Sequence, residues 1–99
     1  MATLHVLSHS PFADTRLDSC LSLLRPDDGL LLCGDATYAL MPSCAPLLAL
    51  EKHMPALRLF ALDEDISARN LQLPDGVTGV DYPGFVELSI RFDKVNTWL

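Results

Sequence analysis

Tyr82-Pro83-Gly84-Phe85-Val86-Glu87-Leu88-Ser89-Ile90-Arg91-Phe92 decides the fold, because its apolar residues satisfy two periods at once. Val86, Leu88, Ile90 and Phe92 alternate as in a strand, whereas Phe85, Leu88 and Phe92 fall at the i, i+3, i+7 spacing of a helix. Two neighbouring features favour the helix. Residues 77–81 (VTGVD) read as a strand, after which a parallel sheet needs a crossover, and Pro83 stands where a first helical turn accepts proline.

The same alternation of strand and helix runs upstream. Residues 2–8 (ATLHVLS) have the length and alternation of a first strand, ended by Ser8-His9-Ser10-Pro11. From Thr15, Leu17, Cys20, Leu21 and Leu24 recur at helical spacing, which predicts a helix with one buried stripe and Asp14 as its N-cap. Pro26-Asp27-Asp28-Gly29 reads as a turn. The continuous apolar run at 30–34 is expected of a strand covered on both faces. A second helical region is predicted over about 42–53, with Pro42 and Pro46 making its start irregular and Pro55 stopping it. Residues 57–62 form a third buried strand, and 63–70 a short helix. In that helix Asp63 is the expected N-cap, Glu64 and Asp65 oppose the dipole, and Asn70 takes the left-handed exit. Residues 71–76 are a polar loop, and 96–99 either add an edge strand or dock. Repeated βα units predict one domain, 1–99, with a three-layer α/β/α architecture and a small, mainly parallel sheet joined by right-handed crossovers.

The bulk numbers constrain what such a domain does. In 99 residues, 49% hydrophobic and 20% charged, the apolar content is high for so small a core, and part of the apolar surface is expected to meet a partner. The net charge of −6 argues against wrapping a nucleic-acid backbone directly. Cys20, Cys33 and Cys44 are odd in number, lack CxxC spacing and follow no export leader, so a reduced cytoplasm is expected. No apolar run approaches the ~20 residues that span a bilayer, so no membrane is expected as partner.

Ser8 to Ser10, Asp35 and Asp63 to Asp65 all fall at predicted carboxyl ends of strands, where ligands gather in open parallel sheets. Asp35 and Asp63 would suit a Mg²⁺ or phosphoryl-binding module. Helix capping explains the same acids with less, and the only lysines that a receiver-like phosphoacceptor site could recruit are Lys52 and Lys94. No G-x-S-x-G elbow surrounds the serines, which read as bonding nearby backbone N–H groups. His5, His9 and His53 lack zinc-ligand spacing, so neither metal nor cofactor is expected. Cys33 reads as core. Cys20 lies on the apolar stripe, with Arg16 one turn earlier as its one nearby cation, and is either packing or an accessory thiol; Cys44 has a comparable case.

Several stretches in combination, LHVLSHSPF at 4–12, Ser19-Cys20-Leu21, LLLCGDATYA at 30–39, ALDEDISARNL at 61–71, VDYPGFVEL at 80–88 and Trp98, resemble the TusB/DsrH family of small sulfur-relay subunits, in order and spacing over essentially the whole chain. The resemblance implies a DsrE/DsrF/DsrH-like fold and assembly with TusC/DsrF-like and TusD/DsrE-like subunits into a dimer of heterotrimers. Persulfide sulfur would pass through that complex to a TusE/DsrC-like acceptor. It would serve 2-thiolation of the tRNA wobble uridine, with tRNA contacted only indirectly, or sulfur oxidation in the DsrEFH branch. The principal sulfur-carrying cysteine belongs to the TusD/DsrE-like chain, which leaves Cys20, at a position where DsrH-type members carry cysteine, as an accessory candidate. Two departures stand out. Ala68-Arg69-Asn70 replaces a frequent Ala-Arg-Gly, a conservative change at a left-handed position, and Gly34-Asp35 replaces a frequent Asp-Gly, which puts a shared contact at that loop in doubt.

Overall fold

The structure is a computed structural model that describes residues 2–54 and 56–98. Five strands, β1 (Thr3–Leu7), β2 (Gly29–Leu32), β3 (Arg58–Leu62), β4 (Val77–Val80) and β5 (Lys94–Trp98), form one sheet in the order β4-β3-β2-β1-β5, every pair parallel. Helices α1 (Arg16–Leu23), α2 (Ala45–Glu51), α3 (Asp63–Ala68) and α4 (Tyr82–Arg91) connect them, with a 3₁₀ helix at Gly34–Leu40 before α2.

Strand order and handedness together fix which helix covers which face. From β1 to β4 the chain always steps the same way along the sheet, so right-handed crossovers place α1, the 3₁₀ helix, α2 and α3 on one face. The return from β4 across the whole sheet to β5 reverses the direction, and α4 lands on the other face. Packing agrees: Leu17, Cys20 and Leu21 of α1, Leu47 and Leu50 of α2 and Ile66 of α3 share a core with Leu7, Leu30, Leu32 and Leu59. Leu88 of α4 and Phe92 just after it pack instead with Leu4, Val6 and Leu31. Leu30, Leu31 and Leu32 thus alternate between faces and are all buried, which is why the run carries no polar residue. Each such leucine contributes roughly 1.5–3 kcal/mol by leaving water.

Residues 82–91 are helical, as their flanking residues predict, and Phe92 is the extended C-cap that ends the helix. Asp81 is the N-cap, its Oδ1 accepting from Gly84 N–H at 2.8 Å, and Pro83 sits in the first turn. The C-terminal residues form a full edge strand, β5; Leu99 lies outside the described residues, as does the expected helix stop Pro55.

Three local expectations are corrected. Thr15, not Asp14, occupies the N-cap of α1, although Asp14 Oδ1 accepts from Arg16 N–H at 3.0 Å from one residue earlier. Asp63 is already helical: β3 runs into α3 without a turn, so Leu62 is the N-cap and provides no side-chain bond. The second helical region narrows to α2, because Pro46 is tolerated only in the first turn of a helix and Ser43, at φ 61°, breaks the chain before it; the 3₁₀ helix precedes that region and was not expected. Asn70 does take the left-handed conformation, at φ 53°. Its N–H reaches Ser67 O at 3.1 Å and that of Leu71 reaches Ile66 O at 3.0 Å, the paired bonds of a Schellman ending. Among the described residues, no helix is long and apolar enough to cross a membrane.

Candidate functional site

The carboxyl end of the sheet collects most of the residues singled out by sequence. Gly34 follows β2 with φ +53°, and a Cβ there would come within 3.2 Å of Ser8 O, so the loop leaving β2 lies against the loop leaving β1. Gly34 N–H donates to Asp65 Oδ2 at 2.7 Å, while buried Thr37 Oγ1 donates to Gly34 O at 2.7 Å. Arg69 reaches from the end of α3 to Asp35, Nη2 to Oδ1 at 2.8 Å, and its Nη1 lies 3.3 Å from Asp65 O. Its guanidinium also sits over the Tyr38 ring, 5.6 Å from the centroid.

These contacts give the acids structural work. Asp35 is ion-paired with Arg69, and Asp65 ties the 3₁₀ helix to α3. Asp63 packs beside β4, where a Cβ on Gly79 would collide with its Oδ1 and with Leu73. The structure therefore does not bring Asp35 and Asp63 together as an unpaired carboxylate couple, and among the described residues no group of three or more His, Cys, Asp or Glu is placed to hold a metal ion. Ser10 makes the expected local bond, its Oγ accepting from Phe12 N–H at 3.2 Å. Behind this loop a cleft of about 410 Å³ opens between Phe12 and Leu17 on one side and Ala45, Pro46 and Ala49 of α2 on the other.

The cysteines lie in different environments. Cys20 is fully buried among the α1 core residues, and burial, with the negative charge of Asp28, pushes its thiol up to about 12. Cys33, just after β2, donates from Sγ to Leu7 O at 3.5 Å, and burial with the charge of Asp65 holds its pKa above the usual value. Cys44, the N-cap residue of α2, donates from Sγ to Ala39 O at 3.3 Å. A thiol used as a donor, or withheld from water, is a poor nucleophile, because the thiolate is the reactive form.

One constellation has no signature in the sequence. At the opposite end of the sheet, Asp28 is 2% and His5 6% exposed. Asp28 accepts from Thr3 N–H at 2.9 Å and Arg25 N–H at 3.1 Å, and its Oδ2 lies 3.4 Å from His5 Nε2. Trp98 Nε1–H donates to His5 Nδ1 at 3.2 Å. Since indole can only donate, neutral His5 carries its proton on Nε2, directed at Asp28. Burial works against the Asp28 carboxylate, but donation from Thr3, Arg25 and His5 outweighs it and holds its pKa below the ordinary value. Both ring nitrogens are engaged, so the set clamps β5 and β1 to the turn before β2.

A family model described as DsrH like protein matches residues 9–95. Protein TusB of Erwinia tasmaniensis is 37% identical over 97 residues, covering 96% of this chain and 99% of its own, and Protein TusB of Yersinia pestis is 34% identical over the same coverage. Among solved structures, the ychN protein from E. coli superposes with a TM-score of 0.81 at 19% identity, over 99% of this chain and all of its own. A protein of unknown function from Methanobacterium thermoautotrophicum gives 0.71 at 13%, over 96% of each chain; both likenesses establish the fold. Full-length sequence matches to TusB proteins and the DsrH-like model over nearly nine-tenths of the residues together make this chain a member of the TusB/DsrH family.

Proposed function

We propose that this one-domain chain is the TusB-type subunit of a cytoplasmic sulfur-relay complex. It would assemble with TusC-like and TusD-like subunits as a dimer of heterotrimers and support 2-thiolation of the tRNA wobble uridine through a TusE-like acceptor. Its part is to scaffold the site rather than to carry sulfur. The observation that carries the accessory role is Cys20, fully buried with its thiol pushed up to about 12, so that almost none is thiolate near neutrality. In the relay, a thiolate of a partner subunit attacks the terminal sulfur of a donor persulfide and releases the donor thiolate. The acceptor thiolate then removes that sulfur in the same manner, with no net oxidation. Acidity and the paired strand-end acids also fit indirect contact with tRNA.

The test is ³⁵S transfer from a persulfide donor to the TusE-like acceptor in the complex reconstituted with its own TusC-like and TusD-like chains. With Cys20→Ala in this chain, and assembly verified by native mass spectrometry, transfer is expected to match wild type. A large loss of transfer from a fully assembled variant would make Cys20 a participating thiol. Wild-type chains that never assemble would defeat the relay reading itself.

A further inference from the structure

Helix α4 is apolar on two sides. Phe85, Leu88 and Phe92 turn toward the sheet, while Tyr82, Val86 and Ile90 recur at i, i+4, i+8 along the outer side and are 51%, 57% and 77% exposed. An amphipathic helix covering a small domain would be polar there, and a helix apolar all round belongs inside a larger assembly. The other exposed apolar side chains differ in arrangement: Phe12, Leu23, Leu48, Leu73 and Val95 stand singly on separate loops and elements. Topology explains why the stripe is uncovered. Four helical segments share the first face, but among the described residues α4 alone lies on the second.

The charges around the stripe select what covers it. Segment 81–94 holds exposed Asp81, Glu87 and Asp93 against exposed Arg91 and Lys94, an acidic balance in a chain of net charge −6. A second copy would oppose acid to acid. A chain with an apolar surface bordered by Lys and Arg would be both attracted and oriented.

We propose that the Tyr82–Val86–Ile90 stripe of α4 is the docking surface for a different small subunit, one that presents an apolar contact patch with a basic rim, and that it is not a self-association surface. This rests on the proposed relay assembly for the identity of the probe: the TusC-like and TusD-like chains from the same genome. The experiment compares assembly of wild type, Val86→Glu, Ile90→Glu and a Glu87→Lys/Asp93→Lys double variant with those two chains, by native mass spectrometry and titration, with Leu23→Glu on α1 as an equally exposed control. Val86, Glu87 and Ile90 on α4 and Asp93 just after it are exposed, and because Asp93 Oδ2 accepts from Ala2 N–H at 2.9 Å, circular dichroism verifies folding of each variant.

The expected result is at least a tenfold loss of affinity for Val86→Glu and Ile90→Glu, a smaller and salt-sensitive loss for the charge reversal, and wild-type assembly for Leu23→Glu. Wild-type affinity in both glutamate variants would overturn the docking surface while leaving the relay assembly intact. No assembly of the wild-type chains would overturn the relay reading and this surface with it. A homodimer of the isolated chain abolished by Ile90→Glu would assign the stripe to a second copy and overturn the choice of partner.

Discussion

Asp28 gathers two backbone N–H groups and an imidazole at a buried carboxylate, so removing it strands donors rather than merely losing a contact. Asp28→Ala is expected to destabilise the chain by roughly 2–3 kcal/mol, measured by urea unfolding at pH 7. The pH dependence has a definite sign. A carboxyl with a folded pKa below its unfolded value binds fewer protons in the folded chain, so its contribution is present above pH ~4 and fades as acid titrates it below that. Asp14 is shifted the same way, against burial, by the Arg16 backbone N–H. Unfolding curves at pH 3 and pH 6 should therefore differ less for Asp28→Asn than for wild type. Cys20 supplies a second prediction: iodoacetamide at pH 8 should label Cys33 and Cys44 before Cys20, which reacts only once the chain is unfolded, as read by peptide mass mapping. Cys20 was legible as a stripe residue because its neighbours repeat at helical spacing. His5, Asp28 and Trp98 were not, because periodicity records which face a residue takes and not which distant polar group meets it there.

The elements that sequence located best are those whose burial is decided by long runs of neighbours, such as β2 with its three leucines and α3 with the Schellman ending at Asn70. α4 carried a strand-like alternation for a specific reason: Val86 and Ile90 are apolar although they face outward, which superimposes a second pattern on Phe85, Leu88 and Phe92. The 3₁₀ helix at Gly34–Leu40 left no such trace, since it is held by tertiary bonds to Asp65 and Arg69 from α3. Those bonds predict a local effect. Arg69→Ala should leave global stability nearly unchanged in urea unfolding, because Asp35 is largely solvated, yet increase amide hydrogen exchange across 34–40. Gly34→Ala should cost about 1–2 kcal/mol, combining a left-handed φ with the close approach to Ser8 O.

Across the whole molecule, the unequal division of helices between the two faces follows from strand order combined with right-handed crossovers, and that order was not legible in the sequence, because periodicity marks elements and not their neighbours. The second core depends on few residues. Phe92 is buried against Gly29 and stacked under the Arg58 guanidinium, 4.5 Å from ring centroid to Cζ. Phe92→Ala is expected to destabilise by about 3–5 kcal/mol, with a matching drop in the urea midpoint. The position of β5 has a consequence for synthesis. Four strands can pair in the order in which they leave the ribosome, but β1 stays open on one side until Lys94 to Trp98 emerge to pair with Thr3 to Leu7. Until β5 emerges the nascent chain thus exposes an unpaired edge of β1, and Trp98 becomes a natural fluorescent signal that the sheet has closed.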